Sequence, residues 1–284
     1  MQHWIIDSSH GGAVLGAADA ARVVASIGSQ DRTALAAAIL DVARQRIDVH
    51  RCTIFSFEAE RSPRLISGAS RGDAWGVFST AARYTREFCQ HDGIRLAMRE
   101  QLPAMPAASP QQPPTRLLLQ RQRPGDIAHA EYREACYVSQ RVAERVSVLA
   151  RAGRDCWIAT NLYRATSAPG YSEAEIEAFA GLAPLFAACA AQHYAADTDG
   201  ETTYRGAITA DIGALCPALT VREREVLLRL LDGLTTERIA ADLDIRPTTV
   251  VTYRTRAYEK IGVRSRRELF ARVLRRYGQT QAAG

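Results

Sequence analysis

A chain of 284 residues, 47% hydrophobic and 24% charged, is long enough for two domains of roughly 100–200 residues and too apolar for wholesale disorder. Its best apolar run, "FAGLAPLFAACAAQHYAA", carries Pro184, Gln192 and His193 and falls short of the roughly 18 uninterrupted residues of a membrane span. The N-terminal "MQHWIIDSSHGG" lacks the basic n-region of a signal peptide, so a cytoplasmic, nucleoid-associated address with no membrane partner is expected. The formal charge of +5 is uneven: residues 217–284 hold 14 Lys+Arg against 8 Asp+Glu, a net of +6, which leaves 22 against 23, a net of −1, for the rest.

In chain order, "SQDRTALAAAILDVARQRI" places Leu35, Ile39, Val42 and Ile47 at helical spacing behind Asp31 as N-cap. "CTIFSF" and "RLISGAS" read as two strands joined through "EAERSP". "VFSTAARYTREFCQ" is helical, with Val77, Ala81, Tyr84 and Phe88 on one face. "PAMPAASPQQPP" is a proline-rich loop. "DIAHAEYREACY" predicts a short helix, and "RVSVLARAGRDCWIATNLYRA" a hairpin turning at 152–155. In its second arm Cys156, Ile158, Thr160 and Leu162 face one way and Trp157, Ala159, Asn161 and Tyr163 the other. "YSEAEIEAFAGLAPLFAACAAQHY" predicts a long helix opened by a Ser172/Glu175 capping box and bent at Pro184. Six scattered cysteines, Cys52, Cys89, Cys136, Cys156, Cys189 and Cys216, read as buried free thiols.

The polar, aperiodic stretch 197–214 reads as a linker between an α+β domain (1–196) and a small all-α domain (215–284). In the latter, Thr220 and Glu223 form a capping box ahead of Val226, Leu227, Leu230 and Leu231, and Gly233 stops that helix. Thr235 caps a second helix holding Ile239, Ala240 and Leu243. Pro247 opens a third, which Gly262 ends, and a fourth carries Leu269, Val273 and Leu274. In steps of about 100° from Val250, Thr248, Val251, Thr252, Thr255, Arg256 and Glu259 fall on the outward face of the third helix. Short Thr and Val side chains let a helix sink into a major groove, where Thr hydrogen-bonds base edges and Val meets a thymine methyl. Basic residues alongside meet phosphates.

At these residues the sequence resembles the four-helix DNA-binding domain of LuxR-type transcriptional regulators. The matching residues include Leu219-Thr220, Arg222-Glu223, Gly233-Leu234, Ile239-Ala240, Thr249-Val250, Lys260, Gly262-Val263 and Glu268-Leu269. The family usually has Lys where Val251 stands and His where Tyr253 stands; Arg246 replaces the usual Ser cap, and Arg238 breaks the second capping box. The resemblance implies base contacts from Thr248, Val251, Thr252, Thr255 and Arg256, and phosphate contacts from Thr236, Arg246, Arg254, Lys260, Arg264 and Arg266. It also implies a two-fold homodimer on a pseudo-palindromic double-stranded operator, with RNA polymerase as a further partner. Leu269 and Val273 are the candidates for the contact between DNA-binding domains.

For the N-terminal input, the order of helices and strand pairs resembles GAF/PAS-like sensory modules. A phosphoacceptor receiver is excluded, because its chemistry needs a lysine and Lys260 is the only one in the chain. "AARYTREFCQHDGI" resembles the ligand segment of acyl-homoserine-lactone sensors at Tyr84 and Asp92, with Thr80 and Gly93 standing where that family has Trp and Pro. Tyr84 and Asp92 are thus candidates to hold a small-molecule effector, with Trp75, Trp157, Tyr163 and Tyr171 as candidate pocket walls. His91 beside Cys89 and Asp92 matches no common ligand spacing, so neither metal nor cofactor is expected. No nucleophile–base motif is present, so an enzyme is not expected; an enzyme or ligand carrier with an incidental nucleic-acid-binding tail is the alternative class.

Overall fold

The computed structural model describes residues 1–9, 15–58, 61–72, 74–105, 114–152, 156–196, 212, 216–231, 234–266, 268–269 and 272–273; the side chains of 74, 75 and 102 lie outside the description. The chain divides into two compact units, Met1–Thr198 and Asp199–Gly284. Ile212, inside the expected linker, is buried; the rest of 197–214 lies outside the described residues, as do 106–113 of the proline-rich loop and Gly233.

The first unit is built on one antiparallel six-stranded sheet. Its strands are β1 (Gln2–Asp7), β2 (Arg51–Glu58), β3 (Arg64–Ser70), β4 (Arg116–Gln122), β5 (Val142–Arg151) and β6 (Cys156–Ala165), in the order β1-β4-β5-β6-β2-β3. One face carries the main core, where α2 (Ala34–Ala43) and α6 (Glu173–Ala196) pack on the sheet and α1 (Ala17–Ala25) packs on α2. Leu35, Ile39, Ile54, Ile158, Leu162, Phe179 and Phe186 fill it, and each such side chain contributes about 1.5–3 kcal/mol by leaving water. The other face meets α3 (Ala74–Arg83), α4 (Gly93–Gln101) and α5 (Ala130–Arg133). The alternation read in β6 holds: Cys156, Ile158 and Leu162 join the core, while Asn161 and Tyr163 face the other side.

Local signals placed most of these elements. Ser172 and Glu175 form the expected box, Glu175 N–H to Ser172 Oγ at 3.3 Å and Ser172 N–H to Glu175 Oε2 at 3.0 Å. α6 runs unbroken through Pro184. It has the length and apolarity of a membrane span, yet half of its apolar window is buried and it packs on β4, β5 and β6. Asp31 is not the residue that flanks α2. It stands two residues ahead of Thr33, whose N–H and hydroxyl both donate to it at 2.8 Å, a side-chain turn that starts the helix later. Ser67 of β3 then accepts the Ala36 N–H at 3.1 Å and donates to Arg32 O at 2.7 Å, tying the start of α2 to the sheet.

No expectation covered β1, α1, α4 and β4, although α4 buries Ile94, Ala97 and Met98 at helical spacing. In β4 the reason is visible: Leu117 and Leu119 join the main core while Gln120 and Gln122 are buried on the opposite face, so alternation of apolar-in and polar-out is absent. Gly68 in β3 lets α3 close over the sheet, since a Cβ there would lie 2.7 Å from Val77 Cγ1.

The second unit contains α7 (Val221–Leu231), α8 (Thr236–Leu243) and α9 (Pro247–Ile261), followed by helical residues at 266, 268–269 and 272–273. Thr220 Oγ1 accepts the Glu223 N–H at 3.3 Å and Glu223 accepts the Thr220 N–H at 2.8 Å. Thr235 caps α8 through the Arg238 N–H at 3.3 Å, without a reciprocal side chain at Arg238. α9 starts on Pro247 with no side-chain cap from Arg246, and ends where Gly262 turns left-handed at φ 74°. Its inward stripe is Val250, Ala257 and Ile261, as the 100° steps required. Leu269 and Val273 correct an expectation: both are buried, at 0% and 1% exposure, rather than exposed as a contact between DNA-binding domains would need.

Candidate nucleic-acid interface and buried cavity

On α9 the outward residues Thr248, Val251, Thr252, Thr255, Arg256 and Glu259 are all exposed. The Thr252 hydroxyl donates back to the Thr248 carbonyl at 3.0 Å, so its lone pairs are the part turned to a partner. Along one side of the helix, Thr236, Arg254, Thr255, Arg264 and Arg266 line a single concave surface together with Tyr258 and Ser265. Arg246 is exposed at the N-terminal end of α9. Two acidic residues, Glu237 and Glu259, share that surface.

Lys260 is placed differently from the other basic candidates. Its ammonium donates to both Glu223 oxygens, at 2.7 and 3.0 Å, and to the Ala218 carbonyl at 3.2 Å. Those three bonds exhaust its donors. Burial alone would raise the Glu223 carboxyl; the Lys260 ammonium and the Thr220 N–H outweigh it and hold the group below the usual carboxylate range. The lysine expected at a phosphate therefore ties α9 to the start of α7.

On the face of the sheet opposite the main core of the first unit lies a cavity of about 40 Å³. Its floor comes from β2, β5 and β6 and its walls from α3, α4 and α5 with their extensions. α3 and α5 each continue into a π-turn, Tyr84–Phe88 and Glu134–Val138, a geometry frequent at functional sites. Those turns bring Tyr84, Cys136 and Tyr137 to the cavity. The tilted and edge-on rings of Phe55, Tyr84, Tyr132 and Tyr137 run along it at centroid separations of 5.4, 6.0 and 5.9 Å.

A buried ion pair closes one end. Arg145 donates from both Nη atoms to the two Asp92 oxygens, each at 2.8 Å. Asp92 also accepts the Tyr84 hydroxyl at 3.0 Å and the Ile94 N–H at 3.1 Å. Burial pushes Asp92 upward, but the Arg145 guanidinium and these donors outweigh it and hold the carboxyl below its usual range. Arg145 Nη2 further meets Gln120 Oε1 at 2.9 Å and Gln122 Oε1, which also accepts from Tyr137 at 3.1 Å. Across the cavity Thr53, Tyr163, Asn161 and Ser147 form a hydrogen-bonded chain.

Residues 217–273 match the family model for bacterial regulatory proteins, luxR family. The chain is 41% identical over 59 residues to the spore germination protein GerE of Bacillus subtilis, which takes in 21% of this chain and 80% of that one. The chain belongs to the luxR family. It is also 41% identical over 70 residues to the probable transcriptional regulatory protein NarL of Mycobacterium tuberculosis, covering 25% of this chain and 32%, about a third, of that relative's length. The chain is similar to the crystal structure of the VqsR LBD domain from Pseudomonas aeruginosa, at 14% identity and a TM-score of 0.45, over 64% of this chain and 99% of that one.

Within this luxR-family chain, the expected base-facing residues come together on one exposed face, and four of the six phosphate candidates, Thr236, Arg254, Arg264 and Arg266, gather beside it. In the N-terminal unit Tyr84, Asp92 and Tyr163 reach the cavity. Trp157 is buried but is not on the lining, Tyr171 sits in the main core on the other face, and the Trp75 side chain lies outside the described residues. Asp92 does not present a free carboxylate to an effector amide, because its four acceptor positions are filled by Arg145, Tyr84 and Ile94. Arg145, Arg51, Gln120, Gln122, Tyr132 and Tyr137 were not foreseen. The available signal was a charged residue inside "RVSVLA", on the face opposite Val146 and Val148. Among the described residues no three metal-ligating side chains cluster.

Proposed function

We propose that the protein is a DNA-binding transcriptional regulator whose N-terminal unit responds to a small molecule. The observation that carries this reading is the exposed stripe Thr248, Val251, Thr252, Thr255 and Arg256 on a helix whose opposite stripe, Val250, Ala257 and Ile261, is packed against its own unit. A helix held rigidly from behind, with short polar and β-branched side chains in front and arginines alongside, fits a major groove and its flanking phosphates. The regulator acts as a homodimer in the cytoplasm, on a pseudo-palindromic site with half-sites about one helical turn apart, with RNA polymerase as a downstream partner. An acyl-homoserine-lactone reading is disfavoured by Asp92, whose acceptor positions are already occupied.

Selection of bound duplexes from a random pool by the full chain tests the proposal. Enrichment of a dyad-symmetric site, with affinity falling steeply as salt rises, is the expected result. A flat salt response, or a pool that remains random, overturns it.

A further inference from the structure

The cavity in the N-terminal unit leaves one strong donor unused. Arg145 is 3% exposed, and its Nη2 carries two N–H groups yet faces three acceptors, Asp92, Gln120 and Gln122. Its Nε–H, by contrast, is buried with no hydrogen-bond partner among the described residues. A buried guanidinium N–H left without an acceptor is costly, and here it belongs to a residue on the wall of an empty space. The lining residues include two cations, Arg51 and Arg145, against one carboxylate, Asp92. Six aromatic rings share the rest of the wall with smaller side chains: Phe55, Phe57, Tyr84, Tyr132, Tyr137 and Tyr163.

Arg51 belongs both to this cavity and to a surface groove lined by His50, Arg71, Gln140 and Arg141. Its guanidinium reaches the Gln140 amide oxygen at 3.5 Å and lies 6.0 Å from the Tyr163 ring centre. Basic residues therefore run from the surface through Arg51 to Arg145, a potential gradient that draws in an anion. At about 40 Å³ the enclosed space holds a water-sized occupant, so a larger one must part the walls. Two of those walls are π-turns, each with one residue more per hydrogen-bonded ring than an α-turn, and a return to α-geometry would re-phase the side chains beyond it.

We propose that this cavity binds a small aromatic carboxylate, which enters past Arg51, sets one oxygen on Arg145 Nε and lays its ring among the tyrosines. The proposal rests on the sensor reading above and gives that sensor its ligand class. Arg145 stays paired with Asp92 throughout, so the ligand completes the guanidinium rather than displacing its partner. A carboxylate oxygen suits the Arg145 Nε–H better than the oxygen of a neutral amide of the same shape, because the hydrogen bond is charge-assisted on both sides.

The experiment titrates the purified full-length chain with benzoate and 4-hydroxybenzoate. Benzamide is the neutral twin and a long-chain N-acyl amide a third probe; thermal shift and tyrosine fluorescence are the readouts. Expected is a carboxylate affinity at least about tenfold above that of benzamide, with slower association in Arg51→Gln. Benzamide binding as tightly as benzoate overturns the proposal. Binding of the N-acyl amide alone also overturns it while leaving the sensor reading in place. If none of the probes binds and a high-resolution structure shows only water on Arg145 Nε, both the ligand class and the sensor reading of this cavity fail. Arg145→Lys keeps the charge and removes the Nε donor; loss of benzoate selectivity in a chain that still melts cooperatively is expected, and unchanged selectivity overturns the assignment of the contact. The wild-type comparison of benzoate with benzamide decides the matter even if that variant does not fold.

Discussion

Lys260, the chain's single lysine, grips both oxygens of Glu223 at 2.7 and 3.0 Å and so joins the end of α9 to the start of α7. Glu223 is 2% exposed and also caps Thr220. Removing the lysine leaves a buried carboxylate short of its cation. Lys260→Ala is expected to destabilise the C-terminal unit by about 1–3 kcal/mol, read as an earlier denaturant midpoint. The salt dependence of DNA binding at a temperature where the unit is folded should stay the same. A drop of one unit in that slope with unchanged stability would restore Lys260 to the phosphate contacts.

Base readout should belong to the threonines. Thr252→Val keeps the shape and removes the hydroxyl that donates to Thr248 O, so the oxygen that would accept from a base amino group is gone. A change of preference worth about 1–3 kcal/mol at one base position is expected, with stability close to wild type because the residue is exposed. Arg264→Ala should instead weaken binding to every sequence alike and lower the salt slope by about one unit. Affinity profiles over a library of site variants separate the two patterns.

Leu269→Ala tests where the fourth helix points. The side chain is 0% exposed, so truncation should cost about 2–5 kcal/mol of folding stability. Denaturant melts of the variant should show that loss with the dimerisation constant of the folded chain unchanged. A folded, fully stable monomer would return Leu269 to a subunit interface.

Acid should loosen the N-terminal unit. Burial alone would raise Glu175; the Ser172 N–H and the Arg164 guanidinium outweigh it and bring the group from 4.5 down to about 2. Its folded pKa thus lies below its unfolded one. The stabilisation is complete above about pH 4.5 and is lost as pH falls towards about 2. Asp92, also held low by Arg145, adds in the same direction. Arg164 is 3% exposed and bonded to Glu175, so Glu175→Gln should cost about 1–3 kcal/mol at neutral pH and flatten the acid limb of a melting-temperature profile.

Five of the six cysteines should be slow to react. Burial pushes the Cys136 thiol up to about 12 and raises Cys52 and Cys156 as well. Cys89 is only half-buried, whereas the other five are buried. A thiol reagent applied to the native chain should label Cys89 first, and the remainder only after denaturant. Mass mapping of labelled peptides checks the order.

What could be read from the sequence is what is decided within a turn or two of the chain. The caps at Thr220, Thr235 and Ser172, the stop at Gly262, and the inward and outward stripes of α9 depend on hydrogen bonds and 100° steps between residues three and four apart. The alternation of β6 depends on a period of two, and the luxR-family match at 217–273 is dense because it lies in such local positions. The tertiary structure decided the rest. Arg145 meets Asp92 across 53 residues of chain, and Lys260 meets Glu223 across 37. Leu269 and Val273 are buried, and β4 pairs with β1 and β5. A charged side chain in a sequence carries no record of which distant partner neutralises it, and a strand buried on both faces has no alternation to display. The C-terminal function was therefore legible before the fold was seen, whereas Arg145 in the cavity became visible only once the sheet had brought it against Asp92.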